Sequence, residues 1–229
     1  MVRLYYSHHI NQNLQLGQEH SYHYLVRVHR LRVNDNFILF NQEDGEYVFK
    51  IEKIDREHIY CTKIEKIERY EQEQMVNIVI PTIKPSRLEW ALEKLTEIGI
   101  GTIFLYNSER TLLREPDFLR LSRICCSALQ QSNRIKLPKL IGPLKLEQIL
   151  EKLDGNIILA DLMGHNIYRF SPKKGKITLI IGPEGGFTHA EQQLLKKYPK
   201  MQLVNDGILR TETAAVAGLM LAKAHLLLE

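Results

Sequence analysis

Ile177–Thr188 reads ITLIIGPEGGFT. The run ITLII has the uninterrupted apolar, β-branched character of a strand buried on both faces. It leads directly into a turn containing Gly182, Gly185 and Gly186, after which Thr188-x-x-Glu191 forms a capping box that opens a helix. A buried strand, a glycine loop and a helix start, in that order, let backbone approach a ligand at the carboxyl end of an open α/β sheet. The loop has neither the GxGxxG spacing nor a following Gly-Lys-Ser/Thr, which disfavours dinucleotides and nucleoside triphosphates.

Outward from this stretch the α/β rhythm repeats. Met75–Pro81, Ile103–Tyr106 and Ile157–Ala160 are further short apolar runs, separated by helical stretches near 117–131 and 145–153, the pattern of a mostly parallel sheet. Ser86-x-x-Glu89 reads as a second capping box, opening a helix whose Leu88, Ala91, Leu92, Leu95 and Ile98 face a core and which Gly99 ends. The final helix, Thr213–Leu227, is apolar nearly all round and must be covered on every side; a homodimer interface would do so.

Before the polar stretch Glu65–Gln74 the rhythm differs. Val2–Tyr6, Asn36–Asn41, Glu46–Ile54 and His58–Ile67 read as strands, with Glu43-Asp44-Gly45 as a hairpin turn, and their spacing predicts a small β-barrel. Tyr24, Val28 and Leu31 predict a short helix with Arg27 and Arg30 turned away from its apolar side. Two domains follow, 1–72 and 73–229.

At 44% hydrophobic and 25% charged residues the chain has material for folded cores and no sign of disorder. No apolar run is long enough to span a bilayer and the N-terminus lacks a signal-peptide core, so a cytoplasmic protein is expected. Three cysteines, two of them adjacent (Cys125 and Cys126), fit neither a disulfide framework nor a zinc site, and the histidines of the first part lack the acidic or thiol partners of a metal centre; no metal is expected. The basic excess lies in the second part, with 21 Lys+Arg against 16 Asp+Glu, and no acid occurs between Asp117 and Glu147. Such a surface suits phosphates.

Two further segments carry polar groups in unusual places. In GILRTETAA (207–215), Arg210, Thr211, Glu212 and Thr213 interrupt apolar sequence where the last helix starts; capping explains the threonines and the glutamate, but a cation at a helix N-terminus needs another reason. Gln130-Gln131-Ser132-Asn133-Arg134 is amide-rich and basic, suited to bases and phosphates.

In order, HYLVRVHRLRVND (23–35), RLEWALEKLTEIGI (87–100), SER (108–110), QQSNR (130–134), IGPEGGFT (181–188) and ILRTETAA (208–215) resemble the motifs of the RsmE family of ribosomal RNA (uracil-N-3) methyltransferases over nearly the whole chain. The resemblance implies a PUA-like β-barrel for RNA binding, followed by an α/β SPOUT domain whose C-terminal chain is threaded as a trefoil knot. It implies S-adenosyl-L-methionine as cofactor, 16S ribosomal RNA as partner, in the assembled small subunit, and a homodimer. Carried over, the cofactor-binding residues are Leu159, Asp161, Leu162, Gly182, Pro183, Glu184, Gly185, Gly186, Ile208, Leu209, Thr211 and Thr213. Arg210 is expected to stabilise the developing uracil anion, with Glu212 or Glu184 as base or orienter, and Arg27, Arg30, Arg32, Arg110 and Arg134 are assigned to RNA. The chain departs from the family at Val204-Asn205-Asp206-Gly207, where relatives show Leu-Gly-x-Arg. Rival readings are a related methyltransferase acting on a ribose hydroxyl or on transfer RNA, and a non-catalytic RNA-binding protein.

Overall fold

The computed structural model describes residues 1–17, 20–69, 71–111, 115–166, 175–204 and 207–227; Asn205 and Asp206 of the departing segment lie outside them. The chain forms two units, the first Met1–Gln72 together with Leu129–Leu137, the second Glu73–Ala128 together with Pro138–Glu229.

In the first unit β1 (Arg3–Tyr5), β2 (Asn13–Leu16), β3 (Asn36–Asn41), β4 (Gly45–Ile54) and β5 (Ile59–Ile67) form one sheet in the order β1-β3-β4-β5-β2. The β1–β3 pair is parallel and the others antiparallel. Among the described residues no ladder joins β1 to β2, so the sheet is curled around its core and not closed into the expected barrel. Leu4, Leu16, Phe37, Leu39, Ile51 and Ile59 fill that core from all five strands. Phe40 points to the opposite face of β3, as strand alternation requires, and packs against Leu129 and Ile135. That contact, and the Glu71 carboxylate accepting from the amides of Ile135 and Lys136, ties 129–137 to the first unit, although the sequence reading assigns it to the second part.

Between β2 and β3 a single turn, α1 (His20–Tyr22), runs into a π-helical segment, His23–Val28. Its wider winding moves the face expected from α-helical spacing: Leu25 is fully buried and Val28 is 55% exposed, while Arg27, Arg30 and Arg32 face solvent.

The second unit is a six-stranded, wholly parallel sheet built from β6 (Val76–Pro81), β7 (Thr102–Tyr106), β8 (Lys139–Leu144), β9 (Asn156–Asn166), β10 (Ile177–Ile180) and β11 (Lys200–Gln202), in the order β11-β9-β10-β6-β7-β8. The central strands are buried along their length, β10 at every residue. Helices α2 (Pro85–Ile98), α3 (Phe118–Gln131), α4 (Leu146–Leu150), α5 (His189–Leu195) and α6 (Thr211–Leu227) connect or follow them.

α2 starts differently from the expectation. Pro85 takes the first turn, where its missing N–H costs nothing, and no side chain caps the helix. Glu89, expected in the capping box, instead accepts from the guanidinium of Arg120 on α3. At the far end the Gly99 amide donates to Leu95 and Thr96 carbonyls as anticipated. α6 packs against α2, β6 and β10, burying Ala215, Gly218, Leu219 and Ala222, and leaves Met220 and Leu227 exposed. Among the described residues no helix is long and apolar enough to cross a membrane.

Candidate functional site

The β9–β10 ladder ends at the pair Leu159–Ile180, while β9 pairs with β11 at Leu159 and, after a register shift, through His165 and Asn166. The chain segments leaving that last pair diverge, and the space between them is a cavity of about 550 Å³, within the usual range for a small-molecule site. Its walls are Ala160–Met163, the loop Ile181–Phe187, Leu203 and Val204, and Ile208, Leu209, Thr211 and Ala214 at the start of α6. Most of the lining is apolar, with the carboxylates of Asp161 and Glu184 at the wall.

Local chemistry fixes this loop. The Thr188 hydroxyl accepts from the Glu191 amide at 3.2 Å while the Glu191 carboxylate accepts from the Thr188 amide at 2.8 Å, so the capping box sets where the loop ends. Thr211 donates its hydroxyl to the Gly182 carbonyl at 3.0 Å, joining the glycine loop to the first residue of α6. The Tyr106 hydroxyl donates to the Ile181 carbonyl from below, and burial, with the charge of Glu191, pushes its pKa far above the ordinary tyrosine value. A side chain at Gly182 would put its Cβ 2.9 Å from the Phe187 ring, so glycine there is a packing requirement. Gly186 has φ +73°, the left-handed region, and its amide donates to the Pro183 carbonyl.

The charged groups form two sets. Burial alone would raise the Asp161 carboxyl, but the hydrogen bond and charge of Lys200, 2.8 Å away, and the Met163 amide together hold it below the ordinary aspartate value. On the other side of the loop Arg87 from α2 contacts Glu184 through Nη1 and lies 3.7 Å from Glu212 through Nε. Glu212 is buried and, among the described residues, its Oε2 has no hydrogen-bond partner. A second cavity, about 750 Å³, opens beside the first and is lined by Thr82, Lys84, Arg87, Arg110 and Arg120 among others; Glu184 borders both.

Of the residues singled out in the sequence, Asp161, Leu162, Gly182–Gly186, Ile208, Leu209 and Thr211 line the first cavity. Leu159 does not: it is 2% exposed and packs in the core with Ile180 and Leu195. Thr213 is exposed and off the cavity wall, because the helix starts at Thr211 and turns Thr213 outward. Arg210 is also exposed and lines neither cavity; its carbonyl opens α6 by accepting from Ala214. Arg110 holds the loop, its Nη1 donating to the Gly185 carbonyl, and is exposed at the second cavity. Arg134 is three-quarters buried and paired with Glu71 at 3.1 Å, so it braces the first unit. The sequence reading missed Arg87, Phe187 and Met163. Arg87 stands first in RLEWALEKLTEIGI and had a signal in that motif, but nothing in the spacing pairs it with carboxylates about a hundred residues away.

The family model of an RNA methyltransferase domain matches residues 70–223, and that of an RNA methyltransferase PUA domain matches 18–64. Ribosomal RNA small subunit methyltransferase E of Rickettsia conorii is 30% identical over 216 residues, covering 91% of this chain and 88% of the relative. Among solved structures, a probable rRNA-methyltransferase of Porphyromonas gingivalis superposes with TM-score 0.86 at 25% identity, over 98% of both chains. A ribosomal RNA small subunit methyltransferase E of Neisseria gonorrhoeae, bound to S-adenosyl methionine, superposes with TM-score 0.85 at 22% identity, over 98% of this chain and 97% of that one.

Proposed function

The chain belongs to the RNA methyltransferase family, and on that premise we propose that it methylates N-3 of a specific uridine of 16S ribosomal RNA, using S-adenosyl-L-methionine. The single observation that carries this reading is the cavity at the end of β9 and β10, walled by the glycine loop and by the start of α6. Its size, apolar lining and exposed loop backbone fit a nucleoside-bearing cofactor, and its carboxylates fit the positive charges of a sulfonium and an amino group. When bound, the cofactor supplies an electrophilic methyl group. The glycine loop, Leu162, Ile208, Leu209 and Thr211 would hold it.

The protein's own part is to align the acceptor nitrogen and to remove its proton. Glu184 borders both cavities and is half exposed, so it is the carboxylate we assign to the proton. Glu212, buried and beside Arg87, is assigned to orienting that arginine, whose charge favours the uracil anion as it forms. Arg210 keeps its proposed role only if the RNA brings the acceptor to the outer edge of α6.

The first unit, with Arg27, Arg30 and Arg32 exposed, is assigned to RNA binding, which would weaken steeply with salt. The assembled small subunit as substrate, the threading of the C-terminal chain as a trefoil knot, a homodimer covering Met220 and Leu227 of α6, and a cytoplasmic location complete the proposal. The return of α6 from the edge strand β11 to the sheet centre, pinned at Gly182 by Thr211, supports the threading.

Calorimetric titration with S-adenosylmethionine tests the cofactor reading, and nucleoside analysis of 16S ribosomal RNA after incubation with enzyme tests the product. One site per subunit and 3-methyluridine are expected. Methylation on a ribose hydroxyl would replace the reaction, and absence of cofactor binding even with RNA present would leave an RNA-binding protein.

A further inference from the structure

With Arg134 turned to Glu71, Gln130, Gln131 and Asn133 have no part in the reaction described above, yet they line an open cavity of about 460 Å³ within the first unit. Gln131 and Asn133 form one wall, Tyr24 and His29 another, and Met1, Val2 and Arg3 the rest. We propose that this cavity takes an unpaired nucleobase of the substrate RNA, at a nucleotide other than the one methylated. The proposal rests on the RNA-binding reading of the first unit.

Three observations converge on it. The first is chemical complementarity. His29 meets Tyr24 edge to face at 4.5 Å between ring centroids, offering ring surface on which a base can stack, and the exposed amides of Gln131 and Asn133 carry both donors and acceptors, as a base edge requires.

Rigidity is the second. Gln130 is buried and its Oε1 accepts from the Tyr5 amide at 2.9 Å. Arg3 is held by Glu46 at 3.0 Å through Nε and by the Arg134 carbonyl at 3.1 Å through Nη2. The floor is therefore fixed before any ligand arrives, which spares the ordering cost of binding.

The third is backbone geometry. Among the described residues only three besides glycine have positive φ: Asn133, at +59°, lines this cavity, and Arg30, at +56°, follows the lining residue His29 in the chain. Asparagine tolerates that region, but arginine adopts it rarely, and such conformations concentrate at binding sites. Arg27, Arg30 and Arg32, exposed on either side of His29 in the chain, would meet the flanking phosphates.

The test uses the full chain and purified 16S ribosomal RNA, with binding measured across a salt series without cofactor. Asn133→Gly keeps the backbone conformation and removes the amide; Gln131→Ala removes the second amide from an exposed helix end. His29→Ala removes the ring and His29→Phe restores it. Asn133→Gly, Gln131→Ala and His29→Ala are each expected to weaken RNA binding about tenfold, with His29→Phe close to the unsubstituted protein. The salt slope and S-adenosylmethionine affinity should stay unchanged. Unchanged RNA affinity in these variants would overturn the proposal, and so would a weaker affinity accompanied by a shallower salt slope, which marks a phosphate contact instead. Because binding is read without cofactor, failure of methyl transfer would leave this result standing, whereas normal binding by Asn133→Gly would remove the base pocket alone.

Discussion

Replacing Gly182 by alanine tests whether the glycine loop is shaped by packing at the cofactor cavity. The added Cβ would lie 2.9 Å from Cε2 and 3.1 Å from Cζ of Phe187, nearer than ordinary contact. The ring must retreat by about half an ångström, and such overpacking costs about 1–3 kcal/mol. Phe187 packs on one side against the core that holds Tyr106 and Leu195 and lines the cavity on the other. The core side is closed, so the ring yields into the cavity and the cost falls on the bound state. At tenfold per 1.4 kcal/mol, S-adenosylmethionine affinity should drop roughly 5- to 150-fold. Gly17→Ala, off the cavity wall, is the control. Its Cβ would meet His58 Cδ2 at 3.9 Å, an ordinary contact, and affinity should change by no more than about twofold. Calorimetric titration of both variants, with thermal melting to confirm folding, decides the matter. Equal affinity for Gly182→Ala and the unsubstituted protein, or an equal loss at Gly17, would refute the reasoning.

Other expectations follow from the charged groups and thiols. Arg87→Ala leaves Glu212 buried without its cation and should destabilise the fold by roughly 1–3 kcal/mol in denaturant unfolding, less than for a fully buried pair because Arg87 is a third exposed; adding Glu212→Gln should recover part of the loss. The depressed Asp161 carboxyl contributes stability above the ordinary aspartate value of 3.8, and that contribution fades as pH falls through its lower folded value. Lys200→Met should therefore be less stable than the unsubstituted protein at neutral pH, with the difference closing below pH 3.8. Burial pushes the Cys61 thiol up to about 12 and, with the neighbouring Cys125, the Cys126 thiol up to about 11, so alkylation at pH 8 should be slow in the native protein and fast after unfolding.

Where local chemistry alone decides, the sequence predicted the structure. ITLII is buried on both faces and must be central in a sheet; Thr188 and Glu191 are three residues apart and cap each other whatever surrounds them. The second capping box failed although its pattern is the same. Pro85 one residue earlier already starts the helix, and Arg120, thirty-one residues on in the chain, takes the Glu89 carboxylate. The π-helical winding at His23–Val28 was likewise invisible: Tyr24 and Leu31 pack against the core as a 3.6-residue period assigns them, but the inward position it gives to Val28 is taken by Leu25.

The arginines show what a one-dimensional reading of charge leaves out. Arg27, Arg30 and Arg32 lie on exposed backbone where the carboxylate of Asp35 accepts from the Arg32 amide, and their charge faces outward, as expected for Arg27 and Arg30 from their place away from the apolar side. Arg110 and Arg134 sit in motifs of the same apparent character, but tertiary structure supplies each with an acceptor: the Gly185 carbonyl for one and the Glu71 carboxylate for the other. Glu71 comes from EKIERYEQEQ, a segment whose polarity reads as a linker, and it also accepts the amides of Ile135 and Lys136. A carboxylate engaged by Arg134 and by two backbone amides fixes the loop after α3, and Gln131 at the helix end and Asn133 in the loop are exposed. The basic residue of QQSNR thus positions the motif, and the proposed base contact falls to the amides beside it.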